Sequence, residues 1–314
     1  MILQTQRNYK FLCYNLNMRR AVVFAHYDKD NLIDDYVVYY VSALKKAGCD
    51  VVFVSCKELA QTELEKLNGL VIHTITENHD EYDFGSYKRG FLYLEPKLSE
   101  YDELIFANDS CYGPLYPISE VFAEMEKKNC DFWGITKNNF GYIKQFKHYF
   151  VRRTHIQSYF IAFKNNIFTQ EFFANFINSI KHEQEKRDII INYEIGLSEL
   201  LIKQGYRFAV LVNAYESINN MTILKWRQIV EKYKMPFIKK SLFDLKNTDA
   251  TTVENYEKYL KNYPCNLIKF PRKIQTKTPY FIKILIFDTL SNFPFSIRKF
   301  FTIVMKKLFP FVND

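Results

Sequence analysis

At 314 residues, with 48% apolar and 17% aromatic residues, the chain can build a large core, which excludes a disordered or fibrous protein. Six cysteines (Cys13, Cys49, Cys56, Cys111, Cys130 and Cys265) show no CxxC pair and no metal-ligand spacing, excluding a zinc site or disulfide framework and favouring a reducing cytoplasm. The formal charge of +8 is uneven: nine Lys/Arg stand against two Asp in residues 269–314, so the nearly neutral body argues against a general nucleic-acid surface.

The first 17 residues have polar groups through any apolar stretch and no small-residue cleavage site, so no secretory signal is expected there. No run approaches the ~18 apolar residues of a membrane span. Ala21 to Ala25 reads as a continuous apolar strand, with His26, Tyr27, Asp28, Lys29 and Asp30 as the polar loop at its end. Ile33, Tyr36, Val37, Tyr40, Val41, Leu44 and Ala47 recur at helical spacing, and Gly48 is placed to stop that helix. Val51 to Val54 is a second strand. Leu59, Ala60, Leu64 and Leu67 mark another amphipathic helix, and Leu70 to Ile75 a third strand. This β-α-β-α-β rhythm predicts a parallel sheet with right-handed crossovers, because parallel neighbours need long connections.

Residues 77–90 combine aromatic faces, a carboxylate and a cation in Tyr82, Asp83, Phe84, Tyr87 and Lys88, with Gly85 able to admit a ligand close to the backbone. The same residues also fit a loop-to-helix junction with a solvated face. Next, Leu104 to Ala107 is a short apolar strand that runs into Asn108-Asp109-Ser110, then Gly113 and Pro114. Asp109 therefore falls at a strand's carboxyl end, the edge where open α/β sheets bind ligands, and its carboxylate suits a divalent cation or a substrate hydroxyl. Asp109 and Ser110 also fit a turn that bonds only its own backbone.

Ser119 is placed to cap a helix over SEVFAEMEKK, followed by a strand at Phe132 to Thr136. Residues 137–155 lack clean periodicity and read as a loop near the site. Tyr159 to Phe163 is strand-like, and the stripe Phe168, Phe172, Phe173, Phe176, Ile177 and Ile180 is a buried helix face. Asn192 to Gln204 reads as a helix stopped by Gly205, with Glu194 near its start, where a carboxylate also complements the helix dipole. Tyr206 to Val212 is the next strand. Between Ser296 and Phe309, Arg298, Thr302 and Lys306 recur every four residues beside Lys299 and Lys307, opposite Ile297, Phe300, Phe301, Val304, Met305 and Leu308. That is the layout of an in-plane membrane helix, or of a helix packed back on the body.

The segments HYDKDNLIDDYV, EYDFGSYKRG, YDELIFANDSCYGPL, CDFWGIT, HIQSYFIAFKNNIF and YEIGLSELLIKQGY, in this order, resemble the rhamnan synthesis protein F family of bacterial surface-polysaccharide glycosyltransferases. The resemblance covers roughly residues 20–245 and implies a GT-A-like, Rossmann-type α/β fold: a mixed, mostly parallel sheet flanked by helices, with a helical basic C-terminal tail. It implies an N-terminal extension (1–20), a catalytic domain (21–245) and a C-terminal extension (246–314). Carried across, it places Tyr27 and Asp28 near a nucleobase, and Asp83, Gly85 and Lys88 near the nucleotide. Asp109, with Ser110, stands at the diphosphate and any Mg2+ or Mn2+, and Glu194 stands as the base. His155 and Gln157 would line the acceptor side.

The donor implied is a nucleotide sugar such as dTDP-L-rhamnose, and the acceptor a glycan or lipid-linked glycan at the cytoplasmic face of an anionic membrane. Two departures stand out. Ser55-Cys56 replaces a frequent carboxylate, and Asn108-Asp109-Ser110 offers one acidic group instead of two. A non-catalytic carbohydrate-binding or assembly component, and an α/β protein with a nucleic-acid-binding arm, remain the alternatives.

Overall fold

The structure, a computed structural model, describes residues 18–143, 146–213, 220–243, 253 and 255–269. Strand β1 (Arg20–His26) lies between β2 (Cys49–Ser55) and β4 (Glu103–Asn108), parallel to both, and β3 (His73–Thr76) extends the parallel set beyond β2. Helices cover both faces of these strands, which is why β1 and β2 read as unbroken apolar runs. On one face α1 (Asp35–Lys46) buries Tyr36, Val37, Tyr40, Val41 and Leu44, each contributing roughly 1.5–3 kcal/mol relative to exposure. A short helix, α2 (Gln61–Leu64), and a 3₁₀ turn lead toward β3.

The opposite face is covered by α3 (Tyr82–Leu94), whose Gly90 lies so close to β1 that an added Cβ would come within 2.2 Å of Val23 Cγ1. Two-residue β5 (Cys111–Tyr112) follows the turn after β4, and α4 (Ile118–Glu126) starts directly after Pro117. Pro117, not Ser119, occupies the cap position, because a residue with fixed φ and no amide hydrogen suits a helix entrance.

The loop expected at 137–155 is instead a ladder. Strand β6 (Phe132–Ile143) runs far past Thr136 and pairs antiparallel with β7 (Phe146–Ile156). Register shifts at Asn138/Phe140 and Tyr142/Ile143 blur the alternation that would have marked these strands, while the ladder still satisfies their backbone groups. The first residues of β6 sit between β8 (Phe160–Lys164), antiparallel to both β6 and β4, and β9 (Phe208–Val212), parallel to β6. The mixed, mostly parallel sheet flanked by helices is therefore present.

The phenylalanine stripe splits between α5 (Asn165–Phe168) and α6 (Glu171–Asn178), burying Phe168, Phe173 and Ile177. The helix expected from Asn192 begins earlier: α7 (Lys186–Ile189) continues through a π-helical turn (Ile190–Ile195) into α8 (Gly196–Lys203). Glu194 thus lies within a continuous helical rod and not at its start. Beyond β9, α9 (Met221–Leu224) and α10 (Trp226–Tyr233) lead to β10 (Ile238–Lys239), which pairs antiparallel with β5.

Val253, Leu260, Tyr263 and Ile268 join the core built around α1, and Tyr112 Oη bonds the Lys269 carbonyl at 3.2 Å. Residues beyond 245 thus pack against this core. The basic stripe at 296–309 lies outside the described residues. Among the described residues no helix is long and apolar enough to cross a membrane.

Candidate functional site

Three parallel strands end together, with Ala25 opposite both Val54 and Asn108, and His26 opposite Ser55. The rim beyond their carboxyl ends is therefore the first polar ground the sheet offers. His26 is not in a loop as expected: it closes β1, is 2% exposed, and its Nδ1 lies 3.3 Å from Ser55 Oγ. Burial lowers its imidazole below the ordinary range. Tyr27 beyond it is half exposed, and Asp28 accepts from the Asp30 and Leu32 amides at 2.8 and 3.3 Å, shaping its own loop.

The turn after β4 is fixed from within and without. Asn108 Oδ1 accepts from the Ser110 amide at 3.1 Å, while Asn108 Nδ2 donates to Asp83 Oδ2 at 2.7 Å. Asp109 is 6% exposed. Its Oδ2 accepts from Tyr36 Oη at 3.1 Å and lies 3.5 Å from Lys240 Nζ, which also bonds Tyr36 Oη. Burial, followed by the Asp109 charge, drives the Tyr36 phenol far up, so it remains a donor. Burial, then the Asp109 charge, pushes the Asp83 carboxyl up to about 6, against Lys186 and Lys239, while Glu194 adds to the rise.

The segment before β8 joins this turn to the helical rod. Tyr159 accepts the Asn108 amide on its carbonyl at 3.2 Å, and Ser158 Oγ donates to Glu194 Oε2 at 2.6 Å. His155 Nε2 approaches Glu194 Oε1 at 3.3 Å. Burial opposes charge on Glu194, but hydrogen bonds from His155 and Ser158 outweigh it and hold the carboxyl below its usual range. The Glu194 side chain remains 17% exposed at this rim. It sits in a π turn, a feature frequent at functional sites.

Asp83, Asp109, Ser110, Glu194 and His155 are thus brought into one neighbourhood, and the other expected residues are used differently. Gly85 lies inside α3, where an added Cβ would stand 2.3 Å from Glu81 Cβ, so its missing side chain admits the 79–81 loop. Lys88 Nζ donates to the Asn178 and Ile180 carbonyls at 3.1 and 2.8 Å, tying α3 to the end of α6. Gln157 Oε1 accepts from Thr136 Oγ1 at 2.7 Å and is buried. Tyr36, Lys239 and Lys240 escaped the sequence reading. Tyr36 looks like any core position of α1, and the lysines follow an apolar run far along the chain.

A divalent cation at Asp109 does not fit this donor set. The carboxylate already faces an ammonium and a phenol, and among the described residues no group of three or more His, Cys, Asp or Glu could hold a metal ion. Hard divalent cations want several oxygen ligands, and a fixed positive neighbour at 3.5 Å opposes one.

The sequence profile described as "Rhamnan synthesis protein F" matches residues 51–299. The chain belongs to the rhamnan synthesis protein F family. Over 210 residues it is 24% identical to "Uncharacterized protein y4gN" of Sinorhizobium fredii (strain NBRC 101917 / NGR234), covering 66% of this family member and 53% of that protein. The chain spans about half the length of the curated relative it matches. Among solved structures it is similar to the mannosyltransferase Ktr4p from S. cerevisiae, at 9% identity and TM-score 0.34 over 51% of this chain and 59% of the other. Core-mannan synthase A from Aspergillus fumigatus, in an Mn/GDP form, gives 10% and 0.36 over 58% and 70%. S. aureus TarS 1-349 in complex with UDP gives 14% and 0.29 over 38% and 35%. Scores this low say nothing about activity.

Proposed function

We propose that this member of the rhamnan synthesis protein F family is a glycosyltransferase that moves a sugar from a nucleoside-diphosphate donor to a bacterial surface polysaccharide. The observation that carries the reading is the meeting, at the carboxyl ends of the parallel strands, of the Asp109 turn with a part-exposed, ionised Glu194. In this reading the donor lies across the rim, with its base toward Tyr27 and its diphosphate at the turn after β4. The sugar, rhamnose in keeping with the family's name, points toward Glu194.

The reaction is a single displacement with inversion. The acceptor hydroxyl oxygen bonds to the anomeric carbon as its proton passes to Glu194, and the carbon–oxygen bond to the diphosphate breaks with its electron pair leaving on the nucleoside diphosphate. A carboxylate held ionised by His155 and Ser158 is ready to receive that proton at neutral pH. The acceptor would be a growing or lipid-linked glycan, met at the cytoplasmic face of the membrane through the basic stripe at 296–309.

A thermal-stabilisation screen of nucleotide sugars tests the reading. The matching donor, supplied at 100 times its dissociation constant, contributes ~2.7 kcal/mol, and dTDP-L-rhamnose is the expected match. A panel in which no nucleotide sugar stabilises the protein, with or without acceptor glycan, sinks the proposal.

A further inference from the structure

Strand β10 delivers two ammonium groups to the turn after β4. Lys239 stands opposite Cys111 in the β5–β10 pair, and the Lys240 amide donates to the Ser110 carbonyl at 2.9 Å. Lys240 is committed, with its Nζ held between Tyr36 Oη and Asp109 Oδ2. Lys239 is not. Its Nζ lies 3.4 Å from Ser110 Oγ and 3.7 Å from the centroid of the Tyr159 ring, and among the described residues no carboxylate lies within ion-pair distance of it.

A part-buried ammonium is costly to leave without an anion, and one hydroxyl, the Cys111 thiol and one aromatic face are weak compensation. The carboxylates around it are taken: Asp109 by Lys240, Asp83 by Asn108, and Glu194 by His155 and Ser158. Among the described residues the charge thus faces the same rim without a carboxylate of its own, at the place where a metal does not fit. A partner from solution must carry negative oxygens and be small enough to reach a hydroxyl and an ammonium together. A diphosphate is such a group.

We propose that Lys239 is the diphosphate ligand of the donor site and that Lys240 is a positioning residue, fixing Asp109 and the turn, so that two lysines replace the divalent cation. This rests on the glycosyltransferase reading above. Lys239 meets the charge that gathers on the leaving diphosphate as the bond to the anomeric carbon breaks, and Ser110 Oγ adds a hydrogen bond.

The test is calorimetric titration of the full chain with ADP, GDP, UDP, CDP and dTDP, in excess EDTA and again in Mg2+ or Mn2+. At least one diphosphate is expected to bind equally well in both. Lys239→Met should weaken it about ten- to a hundredfold, Lys239→Arg should restore most of the loss, and the parent nucleoside should be unaffected. If Lys239→Met does not fold, Lys239→Gln and the salt dependence of wild-type binding give the same readout. Binding that requires the metal and ignores Lys239 overturns the lysine site while leaving the glycosyltransferase reading in place. Failure of all five diphosphates under both conditions removes that reading, and this inference with it.

Discussion

His155 Nε2 stands 3.3 Å from Glu194 Oε1 while its Nδ1 stands 2.8 Å from the Arg153 carbonyl. A carbonyl only accepts, so Nδ1 carries a hydrogen, and the ring can donate to Glu194 only if Nε2 carries one too. The buried ring thus lies directly against the carboxylate, and its contact helps to lower the Glu194 carboxyl.

Glu194→Gln keeps the shape and the contact to Ser158 but removes the basic oxygen. Turnover should fall by about 10²–10⁴-fold with donor affinity little changed. Single-turnover kinetics beside donor titration separate the two. An equal loss of donor binding would reassign Glu194 to holding the sugar.

Replacing His155 moves the pH profile in a stated direction. Glu194 is depressed in the fold, so the stability its charge contributes is present above its unfolded value and is lost as pH falls through the folded one. His155→Gln removes the ring whose contact lowers Glu194, so the Glu194 carboxyl rises. The acidic limb of the rate profile should move to higher pH. An unmoved limb would show that another group titrates there.

Asp83 runs the opposite way. Its carboxyl is raised from 3.8 to about 6, so the folded state holds that proton more tightly than the unfolded chain does. Stability is gained as pH falls through about 6 toward the unfolded value, and neutral pH is the unfavourable side. Asp83→Asn should raise the melting temperature above pH ~7, by roughly 2–4 °C for each kcal/mol recovered, and the gain should shrink through the acid range and vanish only below the unfolded value of 3.8. Melting curves at the two pH values check the sign.

Gly90→Ala tests the seat of α3 on the sheet. Its new Cβ would come within 2.2 Å of Val23 Cγ1 in a fully buried contact, so overpacking should cost about 1–3 kcal/mol by urea titration. A neutral result would mean that α3 shifts on β1 freely.

Cutting the chain after Pro271 retains the Ile268 and Lys269 contacts and removes the basic stripe. Sedimentation with anionic vesicles should show loss of binding while donor binding is unchanged. Transfer to a lipid-linked acceptor should fall more than transfer to a soluble analogue. Unfolding of the truncated chain, or undiminished vesicle binding, would place the stripe with the core.

The strands of the parallel half were legible because Ala21 to Ala25, Val51 to Val54 and Leu104 to Ala107 are buried on both faces and so contain little but apolar residues. The turn at Asp109 was legible for the complementary reason, as the place where such a run stops. The β6–β7 hairpin was not, since its register shifts break a two-residue period before it can be seen. Glu194 was found but misplaced, because the π turn at Ile190–Ile195 interrupts the 3.6-residue period and hides the rod's beginning at Lys186. Lys240 was out of reach, since its partner Tyr36 is 204 positions earlier and no local pattern records a contact at that distance.

The short pairing of β10 with β5 also imposes an order on synthesis. All the strands of the large sheet precede Gly205 except β9, and β9 is finished at Val212, well before Lys239 leaves the ribosome. A nascent chain can thus assemble its sheet and its Asp109 turn while the two ammonium groups are still missing. Such a chain holds Asp83, Asp109 and Glu194 at the rim without the two ammonium groups that later face them. Docking of Pro236 to Lys240 then brings both ammonium groups to the turn after β4 and changes the charge of the rim, ahead of Val253, Leu260, Tyr263 and Ile268, which join the core later in the chain.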